Sequence, residues 1–75
     1  MSATRFICKT SSKASHEEVR NKAFFSGAAI IREKIRKDTS TEFEGEMEIV
    51  CHGGTLYRDL KENSLAESCY LVNLL

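Results

Sequence analysis

An α+β fold follows from three patterns in this sequence. They are a short β-branched and aromatic run near the start, a long stretch with helical apolar spacing, and a strict period-two alternation beyond residue 41. Together they predict one long helix packed on one face of a small three- to four-stranded sheet, in the order β-α-β-β plus a C-terminal strand or helix. The chain has 75 residues, room for one domain spanning 1–75.

Thr4–Thr10 (Thr-Arg-Phe-Ile-Cys-Lys-Thr) reads as the first strand, with Phe6 and Cys8 on one face and Arg5, Ile7 and Lys9 on the other. Ser15 and Glu18 form an S-x-x-E capping box, which predicts a helix from His16 to Lys37. Within it Val19, Ala23, Phe24, Gly27, Ala28, Ile30, Ile31 and Ile35 share one half of the circumference, facing the sheet. Lys22, Arg32, Glu33, Arg36 and Lys37 take the other half, and Phe25 is the misfit among them. Gly27 is assigned to a close approach of helix to sheet.

Glu42, Glu44, Glu46 and Glu48 alternate with Phe43, Gly45, Met47 and Ile49, the pattern of a half-buried strand with one acidic face. Gly45 reads as an in-register strand residue, because the alternation runs past it unbroken. His52-Gly53-Gly54 signals a hairpin, making Thr55–Leu60 a return strand that sets Ile49 opposite Tyr57 and Glu48 opposite Arg58, although Leu56 and Leu60 also stand at helical spacing. In the last fifteen residues, Ser64 and Glu67 offer a second capping box, whereas Ser68–Leu74 favours a final strand; the strand is preferred.

No catalytic signature survives inspection. His16-Glu17-Glu18-Val19-Arg20 begins like H-E-x-x-H but carries Arg20 where the second metal ligand belongs, and a capped first helical turn accounts for it. Cys51 and His52 point to opposite faces of a strand and cannot form a thiolate–imidazole pair there. The three cysteines and two histidines lack zinc spacing, and Gly53-Gly54 lacks the Lys-Ser/Thr of a phosphate loop. The reading is therefore a protein that is not an enzyme and needs no metal or cofactor. Three cysteines, an odd number, suit free thiols in a reducing compartment. With no apolar stretch of membrane-spanning length and no apolar run of a signal peptide, the expectation is a cytoplasmic protein without a membrane role.

Charge is the informative feature. The chain carries 11 cations and 11 anions, yet residues 1–40 hold nine cations against four anions, and residues 41–75 two against seven. Such asymmetry points to interaction surfaces. The leading reading is a small protein-binding protein, an inhibitor or adaptor. It would dock a basic surface of a macromolecular partner through Glu42, Glu44, Glu46 and Glu48. In size and charge it is analogous to phage-encoded modulators of host nucleic-acid enzymes. The alternative is a nucleic-acid-binding module using the helix face with Phe25, Arg32, Arg36 and Lys37. A homo-oligomeric structural protein, such as a homodimer, sealed by Phe25 and the Tyr70–Leu75 tail is the third. Against the acidic docking row stands a plainer origin: with the first strand parallel beside it through a right-handed crossover, Arg5 and Lys9 would share the outer face with the glutamates and neutralise part of the row.

Overall fold

The computed structural model describes residues 4–51 and 53–72. The described chain runs β1 (Thr4–Thr10), α1 (Lys13–Phe25), β2 (Ala29–Asp38), β3 (Phe43–Cys51), α2 (Thr55–Glu62) and β4 (Ser68–Val72). The four strands form one antiparallel sheet in the order β2-β3-β1-β4. This β-α-β-β-α-β order is the ferredoxin-like, split βαβ arrangement. No described helix is long and apolar enough to cross a membrane.

Both helices lie on one face of the sheet. There Phe6 and Cys8 of β1 and Met47, Ile49 and Cys51 of β3 pack against Val19 and Ala23 of α1 and Leu56 and Leu60 of α2. Alternation along β1 and β3 supplies that layer, as the sequence pattern implies.

The single long helix is replaced by a helix, a turn and a strand. α1 starts at Lys13, three residues before the expected start, because Ser12 rather than Ser15 is the N-cap: its Oγ accepts from the Ser15 N–H at 3.1 Å. It ends where Ala28 N–H donates to the Ala23 carbonyl (2.9 Å) and Gly27 N–H to the Phe24 carbonyl (3.2 Å). These two bonds make a Schellman motif, which requires the left-handed conformation that Gly27 adopts at φ +77°. Gly27 is thus a helix terminator; a Cβ there would meet nothing within 4 Å, so no close approach is involved. Beyond it Ala29–Asp38 is a strand, which turns Arg32, Arg36 and Lys37 from helical into strand residues. Phe24, expected inward, is exposed, and Ile31 and Ile35 are half-exposed.

The return strand is also absent. Thr55–Glu62 is helical, with Leu56 and Leu60 buried one turn apart, so Tyr57 does not oppose Ile49 and Arg58 does not oppose Glu48. His52, in the supposed hairpin and in the Cys51–His52 pair, lies outside the described residues, as does the 73–75 end of the apolar tail. The C-terminal strand is present as β4, and Ser64, at φ +52°, belongs to a turn rather than to a second helix cap. Gly45 is paired on both sides, with Thr10 and with Ile35; the register shifts beside it lie in β2, between Ile30 and Arg32 and between Ile35 and Lys37.

Candidate functional site

Because both helices pack on one side, the opposite sheet face is uncovered. The register dictates what it shows. Glu44, Glu46 and Glu48 of β3 stand opposite Lys37, Lys34 and Arg32 of β2, while Lys9 and Arg5 of β1 flank Glu46 and Glu48 from the other side. Adjacent strands lie about 4.8 Å apart, so the face reads as three charge rows: basic, acidic, basic. Arg36, in a register shift of β2, reaches Glu44 at 3.4 Å and Glu46 at 3.1 Å. Lys37 pairs with Glu42 at 2.8 Å, and Arg5 with Glu48, whose carboxylate is largely buried.

The structure therefore brings all four sequence-predicted glutamates together, and each has a cationic partner. Among the described residues, Lys9, Arg32 and Lys34 have no such ion pair, so the uncommitted charges on this face are positive. Arg32, Arg36 and Lys37 belong to the same face as the glutamates, not to a separate helical one. Phe25 does not join them: it ends α1 on the helical side, 83% exposed, edge-to-face with Phe24. Phe25 also lines an open cleft of about 710 Å³ between α1 and α2, with Leu56 and the Lys22–Asp59 ion pair (2.9 Å).

Beneath the helices lies a polar cluster that sequence reasoning missed. His16, on α1, is 2% exposed and Thr10, at the end of β1, is fully buried. Thr10 Oγ1 and His16 Nδ1 are 2.6 Å apart, and His16 Nε2 is 2.5 Å from Glu33 Oε2 on β2. Arg20, one helical turn on, donates to the same Glu33 oxygen. Burial pushes the Glu33 carboxyl up, but the hydrogen bonds and positive charges of Arg20 and His16 outweigh it and hold the group below its ordinary range. An ionised carboxylate only accepts, so His16 Nε2 donates to Glu33, while Nδ1 shares the ring's second hydrogen bond with the Thr10 hydroxyl. The ring lies over Gly45 and edge-on to Phe43. The one sequence signal for this cluster was His16 itself, four residues before Arg20 on the helix.

The free-thiol expectation is corrected at two of three positions. Cys8 and Cys69, directly opposed on β1 and β4, form a disulfide, and Cys51 is free and buried, its thiol pushed up by desolvation. Strand pairing of residues 61 positions apart created this link, which spacing alone does not reveal. Among the described residues, no group of His, Cys, Asp and Glu is arranged to hold a metal.

These features define a small ferredoxin-like α+β domain with one bare, charge-striped sheet face. No protein-family model and no curated protein matches the chain. A solved structure described as "GqqA- a novel type of quorum quenching acylases" is similar in fold, with a TM-score of 0.58 and 13% sequence identity over 92% of this chain. The chain spans 39% of the length of that protein.

Proposed function

We propose that this chain is a non-catalytic protein-binding module, an inhibitor or adaptor, that docks a protein partner through the uncovered sheet face. The observation that carries the reading is the basic–acidic–basic striping of that face. A protein can present complementary rows: basic residues to Glu42–Glu48, acidic ones to Lys9, Arg32 and Lys34. A run of phosphates cannot, because a strand lying on the β2 cations would feel the glutamates one strand away. Charge striping of this kind acts mainly on specificity and association rate.

Two features bear on catalysis. Thr10, His16 and Glu33 stand in the order of a hydroxyl–imidazole–carboxylate triad, but the hydroxyl that would have to act as nucleophile is on Thr10, which is fully buried. The acylase activity belongs to a longer protein, and likeness of fold at 13% identity transfers no residue.

The test is affinity capture from native lysate in parallel with Glu44→Lys/Glu46→Lys and Arg32→Glu/Lys34→Glu. Both reversals should lower recovery of the same partner at least tenfold. Recovery unchanged by either overturns the reading. So does a single-stranded oligonucleotide whose binding strengthens in Glu44→Lys/Glu46→Lys, which would select nucleic acid instead.

A further inference from the structure

The sheet ends in two unlike edges. β2 carries six charged residues in ten and two register shifts, the devices by which natural sheets keep an edge from pairing with another chain. β4, at the other end, is Ser-Cys-Tyr-Leu-Val: it has no charge and no shift, pairing with β1 without interruption from Ser68 opposite Lys9 to Val72 opposite Arg5. Tyr70 and Leu71 are each 51% exposed, and among the described residues no strand occupies the far side of β4.

The direction of the β4 backbone groups follows from the pairing. Cys8 and Cys69 have their Cα atoms 4.2 Å apart, the close spacing of a non-hydrogen-bonded antiparallel pair. The N–H and C=O of Cys69 therefore point away from β1, and by alternation those of Leu71 do too. A second contact agrees: the Cys69 carbonyl accepts from the Tyr57 hydroxyl of α2 at 3.2 Å and so is not directed into the β1 ladder. Its second lone pair remains available.

We propose that β4 pairs antiparallel with β4 of a second copy of this chain, about a twofold axis through Tyr70, joining the two sheets into one of eight strands. Pairing all five residues of the strand places the axis there. It sets Cys69 of one copy opposite Leu71 of the other, so the outward groups of each meet those of its partner in four backbone hydrogen bonds. A register one residue off would face these groups with ones already committed to β1. The two tyrosines then lie side by side on the bare face, and Leu71 is covered on the helical face. A neutral edge meets its own copy without repulsion, whereas two β2 edges would bring Arg32, Lys34, Arg36 and Lys37 together. The joined sheet would also extend the striped face across the pair.

Sedimentation equilibrium from micromolar to submillimolar protein tests this. The wild type should reach twice the 8.5 kDa of one chain. Tyr70→Glu, which opposes two carboxylates on the axis, should remain at the single-chain mass over the same range with an unchanged far-UV circular dichroism spectrum. Independently, Tyr70→Cys should cross-link under oxidised glutathione, two thiols on the axis forming one disulfide as glutathione disulfide is reduced to two thiols. Lys34→Cys on the β2 edge should not. A wild type that stays at the single-chain mass throughout overturns the proposal, including the case where the edge captures only a foreign strand. Equal cross-linking of Tyr70→Cys and Lys34→Cys also overturns it.

Discussion

Gly45→Ala tests the buried polar cluster most sharply. A Cβ at this position would lie 2.8 Å from His16 Nδ1, 2.9 Å from His16 Cε1 and 3.0 Å from Phe43 Cε1. The imidazole is no loose end that can swing aside: Thr10 holds Nδ1, Glu33 holds Nε2 and Phe43 packs against the ring. Room for the methyl therefore comes from moving a well-packed ring, at about 1–3 kcal/mol, or from breaking one of its buried hydrogen bonds, at about 1–3 kcal/mol. Either route costs about 1–3 kcal/mol, against the roughly 4–11 kcal/mol expected for a domain of this size. In thermal terms that is a fall of about 4 to 24 °C.

Urea unfolding followed by circular dichroism gives the number, and a double-mutant cycle with His16→Ala gives the mechanism. With the ring gone, the two closest contacts of the added methyl vanish and only the 3.0 Å approach to Phe43 Cε1 remains, so Gly45→Ala should cost less than about 0.5 kcal/mol in that background, leaving most of the wild-type penalty as coupling. The same penalty in both backgrounds, or a negligible one in the wild type, would refute the reasoning. It would mean that Gly45 is present for a backbone reason instead.

Two further outcomes follow from the same contacts. The Glu33 carboxyl is held below its ordinary range in the folded state, so it contributes stability above its unfolded-state value and loses that contribution as pH falls through the folded value; Glu33→Gln should flatten the acid limb of stability against pH, and a limb identical to the wild type's contradicts the ion-pair account. The Cys8–Cys69 link closes a loop spanning 61 residues, so Cys69→Ser, or reduction of the wild type, should destabilise by about 2–4 kcal/mol, and a urea midpoint indifferent to reductant would show that the link contributes nothing.

What was legible in the sequence was what local pattern decides. β1 and β3 alternate strictly, and their core residues Phe6, Cys8, Met47 and Ile49 are buried as the alternation implies. The C-terminal strand was legible from its β-branched and aromatic centre. The misreadings lie where two local signals compete. Leu56 and Leu60 marked a helix one turn apart, but the Gly-Gly turn before them suggested a hairpin. Ser12 and Ser15 were both capable caps, and the choice between them rests on which side chain reaches the amide three residues on. Thr10 and Glu33 gave no warning of the polar cluster, because their partner His16 reaches them only after α1 has packed on the sheet. The glutamate row was legible as a face, but its ion pairs were not, since they depend on where β2 lies.

β2 is the element in which local preference and fold disagree most. Arg-Glu-Lys-Ile-Arg-Lys is rich in helix formers and continues the apolar spacing of α1, so local propensity favours one uninterrupted helix. Two things override it. Gly27 closes α1 with a Schellman motif, and three of the four glutamates offer a strand at Ala29–Asp38 a cationic match across the pairing, Arg32 by Glu48, Lys34 by Glu46, Lys37 by Glu44. The match works in both directions, for four closely set carboxylates would also destabilise β3 if left unpaired. The result redistributes the charge. The sequence halves are basic and acidic, but the folded layers are the reverse of what the glutamates suggest: the bare face holds six cations against four carboxylates, and the helical side carries the surplus of anions. Where a sequence sets local preference against fold, the compensation tends to sit at a surface that function uses. Here that compensation sits on the sheet face left bare by both helices, the face proposed above to dock a partner.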